Sequence, residues 1–143
     1  MRSIIKQHVN NLVKQYNTDN PFDLADSLEV RVINWPLQGE VKGFYHLNEK
    51  GKSIYINSSL PYYYQKVVCA HELGHATLHP EQNCIFLANH TLFNGGKYER
   101  HANLFTIEML ISDSKLREYD EYTLQQIAAI EKIPYELLQL KVQ

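Results

Sequence analysis

VVCAHELGHATLHP, residues 67–80, sets His71, His75 and His79 at every fourth position and puts Glu72 directly after the first histidine. Helical spacing of apolar residues runs from Leu60 to about His79, with Ser58 or Ser59 expected as the cap and Pro61 in the first turn. On such a helix, residues four apart differ by only about 40° around the axis. His71 and His75 therefore offer two imidazoles to one ion, the first two ligands of a zinc site. Glu72 lies about 100° round from His71, poorly placed as a ligand but able to reach a water on the ion as a general base. A helical glycine costs about 1 kcal/mol relative to alanine, so Gly74 points to a close approach by a neighbouring element. With 7 histidines in 143 residues, composition alone yields about 0.03 HExxH matches by chance.

Catalytic zinc takes three protein ligands and keeps one position open, so a third ligand must come from elsewhere. His79 drifts about 80° from His71 and is expected as a helix-end histidine instead. A third histidine ten residues after the first is ruled out, because position 81 is Glu81. Glu99 is the better choice, with Asn103 one turn later able to orient a ligand through its amide. Glu108 is the competitor, about 180° round the same helix, and is expected to be an exposed glutamate.

Outward from this helix, the period of the pattern changes. Residues 3–16 form an amphipathic first helix, and Asn20 followed by Pro21 starts a short second one over FDLADSL. EVRVINW, VKGFYHL and KSIYIN alternate as three short strands, the last two joined by an NEKG hairpin turn. Residues 81–96 show no period and read as a long loop. KYERHANLFTIEMLI, YTLQQIAAIEK and PYELLQLK then give helices to the end. The expected fold class is α+β, in one domain over 1–143, with 113–143 a helix-turn-helix-like tail.

Composition narrows the function. A net charge of -2 offers no general attraction to nucleic acid or an anionic membrane, and the tail carries six acidic against four basic residues, which argues against direct DNA binding. No apolar run approaches transmembrane length, and two cysteines without a CxxC pair fit a reduced, cytoplasmic protein. Cys69 stands about 200° from His71 and is not a ligand, whereas Cys84 could reach the site from its loop.

HELGHATLH followed by YERHANLFTIEMLISD resembles the ImmA/IrrE family of zinc metallopeptidases, whose second motif typically reads ExEANxFAxxLL. The PFDLADSLEVRV, GFYHLN and SIYINSSL blocks extend the resemblance over nearly the whole chain. It implies a zincin-like fold with N-terminal helices, a small three-stranded twisted antiparallel sheet, an HExxH helix and C-terminal helices. It also implies His71, His75 and Glu99 as Zn2+ ligands and Glu72 as catalytic base. His101 and Thr106 depart from the family pattern, standing where a second glutamate and an alanine are common.

The expected activity is limited endoproteolysis of a protein partner, which the resemblance suggests is a helix-turn-helix repressor of a phage or mobile element. The alternative is a binding module that sequesters such a repressor, with a structural or silent zinc. Tyr45, His46, Tyr98 and His101 are available to stabilise an oxyanion or touch substrate. The edge of GFYHLN could pair with an extended substrate.

Overall fold

Asn20 caps the helix that Pro21 begins: its side-chain oxygen accepts hydrogen bonds from the backbone amides of Phe22, at 2.8 Å, and Asp23. The computed structural model describes residues 1–82, 84–87 and 96–143, the stretch 84–87 by its backbone alone. In chain order these form α1 (Arg2–Tyr16), α2 (Pro21–Ser27), β1 (Arg31–Trp35), β2 (Val41–Asn48), β3 (Gly51–Asn57), α3 (Tyr62–Leu78) and β4 (Cys84–Leu87). The chain continues through α4 (Lys97–Leu110), α5 (Asp113–Arg117), α6 (Leu124–Glu131) and α7 (Tyr135–Lys141). The class is α+β, as the alternating periods require.

The sheet differs from the expected three antiparallel strands. Four strands lie in the order β1-β3-β2-β4, and β1 runs parallel to β3, pairing Arg31 with Ser53 through to Trp35 with Asn57. The β2–β3 hairpin is antiparallel as expected, turning at Gly51 with φ 113°. Alternation within a strand says which face is buried, not which strand lies alongside, so the parallel pair left no trace in the pattern. The fourth strand falls inside the stretch read as a loop, because CIFL is too short and uniformly apolar to show a period. Residues 83 and 88–95 of that stretch lie outside the described residues. With β3 on one side and β4 on the other, β2 is paired on both sides from Gly43 to Tyr45, so among the described residues an added strand on the β4 side could reach only its last residues, 46–48.

One face of the sheet, carrying Tyr45, Ile54 and Ile56, packs with Val68, Cys69 and Leu73 of α3 in the main core, which α1 and α2 close with Ile5, Val9 and Leu24. Gly43 lets α3 lie tight on this face: a Cβ there would fall 2.6 Å from Val68 Cγ1 and from the Tyr55 carbonyl oxygen. A second cluster joins Val67 of α3, Ile107 of α4 and Ile111 to Ile127, Leu137 and Leu138 of α6 and α7. Neither expected serine caps α3, whose N-cap is Pro61. Ser59 Oγ instead donates to Asn57 Oδ1 at 2.9 Å, and Gln65 reaches back to the Leu60 carbonyl.

Glu108 also departs from expectation. Its carboxylate is buried and lies 2.7 Å from the buried ammonium of Lys141, which contacts Asp113 in turn. Docking of α7 on α4 covers a helix face that would otherwise meet water.

Candidate metal centre

Helix α3 carries the HELGH residues inward because its whole second half is buried, from Val67 through Ala76. Its C-terminal end is held by the sheet: Lys52 Nζ donates to the Ala76 carbonyl at 2.9 Å, and the Tyr45 hydroxyl donates to the Pro80 carbonyl at 2.7 Å. Sequence reading missed Lys52, whose role depends on a contact from 24 residues away. Helix α4 crosses α3 closely at Gly74, where an added Cβ would stand 3.0 Å from Ala102 Cα and 3.2 Å from Phe105 Cβ. That approach brings the first turn of α4 against the histidines.

His71, His75 and Glu99 meet there. His71 Nε2 lies 2.8 Å from Glu99 Oε2, His75 Nε2 is 3.2 Å from Glu99 Oε1, and the two Nε2 atoms are 3.2 Å apart. One ligand atom from each falls within 4.8 Å of the others, the only such set among the described residues. Ligands about 2.1 Å from a tetrahedral zinc stand about 3.4 Å from one another. The observed separations, two of them to different oxygens of Glu99, fall about 0.2 to 0.6 Å short of that, so a modest expansion admits an ion. Two imidazoles and one carboxylate also make a borderline donor set suited to zinc, with a fourth position left over.

The charge states follow from packing. Burial would raise Glu99, but hydrogen bonds from His71 and His75 outweigh it and hold the carboxyl well below the usual range. Burial lowers His71, against the opposing pull of Glu99. Asn103, buried one turn beyond Glu99, is a hydrogen-bonding neighbour that raises His71.

Glu72 is wholly buried, and neither carboxylate oxygen meets the geometry of a hydrogen bond with a side chain among the described residues. The backbone of Tyr45 acts on it in the direction that favours the charged form. Burial first, and repulsion from Glu99 second, push this carboxyl well above its ordinary value. A buried polar group left unpaired costs about 1–3 kcal/mol, more when charged, so the arrangement calls for an occupant that the side chains do not supply. An ion with its water is such an occupant.

His79 ends α3, as expected, and its Nε2 lies 2.5 Å from Nδ1 of His75, the ring nitrogen turned away from the ligand cluster. Burial lowers the His79 imidazole to about 4, so it meets His75 uncharged. Its ring packs on Tyr98 at 4.6 Å between centroids, and Tyr98 is exposed at the rim. His101 stays outside the cluster, lining a cavity with Arg2, Arg100 and Leu104. His46 is next to Tyr45 in β2 and so points to the opposite sheet face, away from α3. Tyr45 borders the site, but its hydroxyl is engaged with Pro80 and is no free donor. Cys69 is buried and burial raises its thiol, which keeps it protonated; the Cys84 side chain lies outside the described residues.

Residues 25–142 match the peptidase M78 family model, the IrrE N-terminal-like domain. The chain is similar to uncharacterized immunity region protein 2 of Bacillus phage phi105, at 43% identity over 141 residues, covering 97% of this chain and 89% of that protein. It is similar also to metallopeptidase ImmA of Bacillus subtilis (strain 168), at 30% identity over 136 residues, covering 91% and 79%.

Proposed function

The chain belongs to the IrrE N-terminal-like family of M78 peptidases, and from that premise we propose that it is a zinc-dependent endopeptidase making limited cuts in a protein substrate. The observation that carries this reading is the buried, unpartnered carboxylate of Glu72 beside a three-ligand set of His71, His75 and Glu99. A site built only to hold an ion for structural reasons has no use for a base next to its ligands.

Zinc in this set supplies Lewis acidity, which makes a water more nucleophilic and a peptide carbonyl more electrophilic. The chain's own residues do the rest. Glu72 takes the proton from the attacking water and delivers it to the departing amine, a task favoured by its raised basicity. Asn103 and His79 hold the rings of His71 and His75 in the orientation that presents Nε2 to the ion. Tyr98, exposed beside His79, lies where a substrate would enter. An extended substrate would pair at an outer strand of the sheet, and β4 is the outer strand on the β2 side.

We further propose a helix-turn-helix repressor as the target, met in the cytoplasm; one relative is an immunity region protein of a phage. No described helix is long and apolar enough to cross a membrane. The test incubates the zinc-loaded protein with the repressor encoded nearest its gene and examines the products by mass spectrometry, with Glu72→Gln as control. A discrete fragment pair made by the wild type alone is expected. A repressor that stays whole while bound to the wild type would instead make the chain a sequestering module.

A further inference from the structure

Tyr62 and Tyr63 at the start of α3 are 61% and 46% exposed, and Ile130 near the end of α6 is 51% exposed. All three border one groove. A cavity of about 240 Å³ floored by Val67, Leu110 and Ile133 adjoins one of about 590 Å³, and the two share Tyr63, Lys132 and Ile133. Large apolar side chains gathered at one surface site mark a contact surface more often than those scattered singly.

Charge indicates what would bind. Three lysines, Lys66, Lys115 and Lys132, line the groove against one carboxylate, Glu131. Lys115 pairs with Glu131 at 2.8 Å, leaving Lys66 and Lys132 without an ion pair among the described residues. Lys132 stands in the left-handed turn between α6 and α7, with φ 56°, and its ammonium lies 5.4 Å from the centre of the Tyr63 ring. This local excess of positive charge occurs on a chain whose net charge is -2. Two cations outside any ion pair, beside a carboxylate, make a poor track for a polyphosphate backbone, which rewards many cations in line. They suit a protein segment whose few carboxylates flank apolar anchors.

We propose that this groove docks an acidic, apolar-anchored segment of a protein partner; that the partner is the substrate rests on the peptidase reading. Tyr63 and His75 are twelve positions apart on α3, about 18 Å along its axis. An extended chain covers that axial distance in about six residues.

The test measures binding to full-length, zinc-loaded Glu72→Gln protein by fluorescence anisotropy. The probes are a short synthetic peptide with Phe and Leu on one helical face and Glu on the other, its Lys-for-Glu counterpart, and an oligothymidine. The acidic peptide is expected to bind at least about tenfold tighter than the basic one, more weakly as salt rises, and with about tenfold loss in Lys66→Glu/Lys132→Glu. Thermal melting confirms that this surface variant folds, and Tyr63→Ala supplies a second, uncharged test of the same groove. Equal binding of the two peptides, or acidic-peptide binding unmoved by either variant, overturns the proposal. Tighter binding of the oligothymidine, or a dimer seen by sedimentation that the charge reversal dissolves, overturns it in favour of nucleic acid or a second copy. Removing zinc should leave peptide binding unchanged, so a failure of docking is separable from a failure of proteolysis.

Discussion

Glu72 and Glu108 are both buried carboxylates, and their surroundings set them apart. Glu108 has the Lys141 ammonium at 2.7 Å, whereas Glu72 has no partner among the described side chains. One is a structural ion pair, the other a group whose desolvation cost is tolerated beside the metal set. On the proposed ligand set His79 would act through its neighbour His75. His79→Ala should weaken zinc binding about 10- to 100-fold, measured by competition with a chromophoric chelator, while His79→Gln keeps a hydrogen-bonding group there and recovers part of the loss. Equal affinities for wild type and His79→Ala would show that His75 needs no such support. At this scale the site was partly legible: helical period alone paired His71 with His75 and set Glu72 to one side. The burial of Glu108 was not legible, since it depends on Lys141, 33 residues away in sequence.

Helices declared themselves better than the sheet. A 3.6-residue period and caps such as Asn20 and the Thr123–Gln126 capping box belong to the element itself. The parallel β1–β3 pair and the brief β4 depend on chain neighbours that no local pattern encodes. Five-residue α5, started by Ser112, was too short to register as a period. Gly74 shows an element-level signal with a tertiary cause, since its lack of a side chain is what allows α4 to cross. Gly74→Ala should gain helix propensity yet lose about 1–3 kcal/mol through overpacking against Ala102 and Phe105. Because the strain acts where Glu99 is delivered, metal affinity should fall with it. Urea unfolding together with a zinc titration checks both, and unchanged values in the two would mean that the helices part freely.

Across the whole molecule, Lys141 ties α7 to Glu108 of α4 and to Asp113 of α5, and Lys6 of α1 reaches the same Asp113 at 3.1 Å. Lys141→Met should destabilise the protein by about 3–5 kcal/mol, because it strands a buried carboxylate; adding Glu108→Leu should restore most of the loss. Denaturant midpoints for both singles and the double form the cycle that tests this. The hydrogen bond from Lys141 holds Asp113 below the usual carboxylate range. Its contribution is therefore complete above the unfolded-state value and is lost as pH falls through the lower folded one. Asp113 is half exposed, so that acid-side loss should be modest, about 1 kcal/mol or less, and should vanish in Asp113→Asn.

The spacing of the ligands along the chain sets an order of events. His71 and His75 are anchored by a sheet and helices that precede them, with Lys52 and Tyr45 already fixing the end of their helix, but Glu99 follows His71 by 28 residues. During synthesis, which runs N-terminal first, the two imidazoles emerge before the carboxylate exists. On the proposed ligand set a growing chain offers two of the three donors, and it gains the third when α4 leaves the ribosome and folds across Gly74. The proposed site is thus completed only once α4 has emerged, with α5 to α7 still to follow and pack against it.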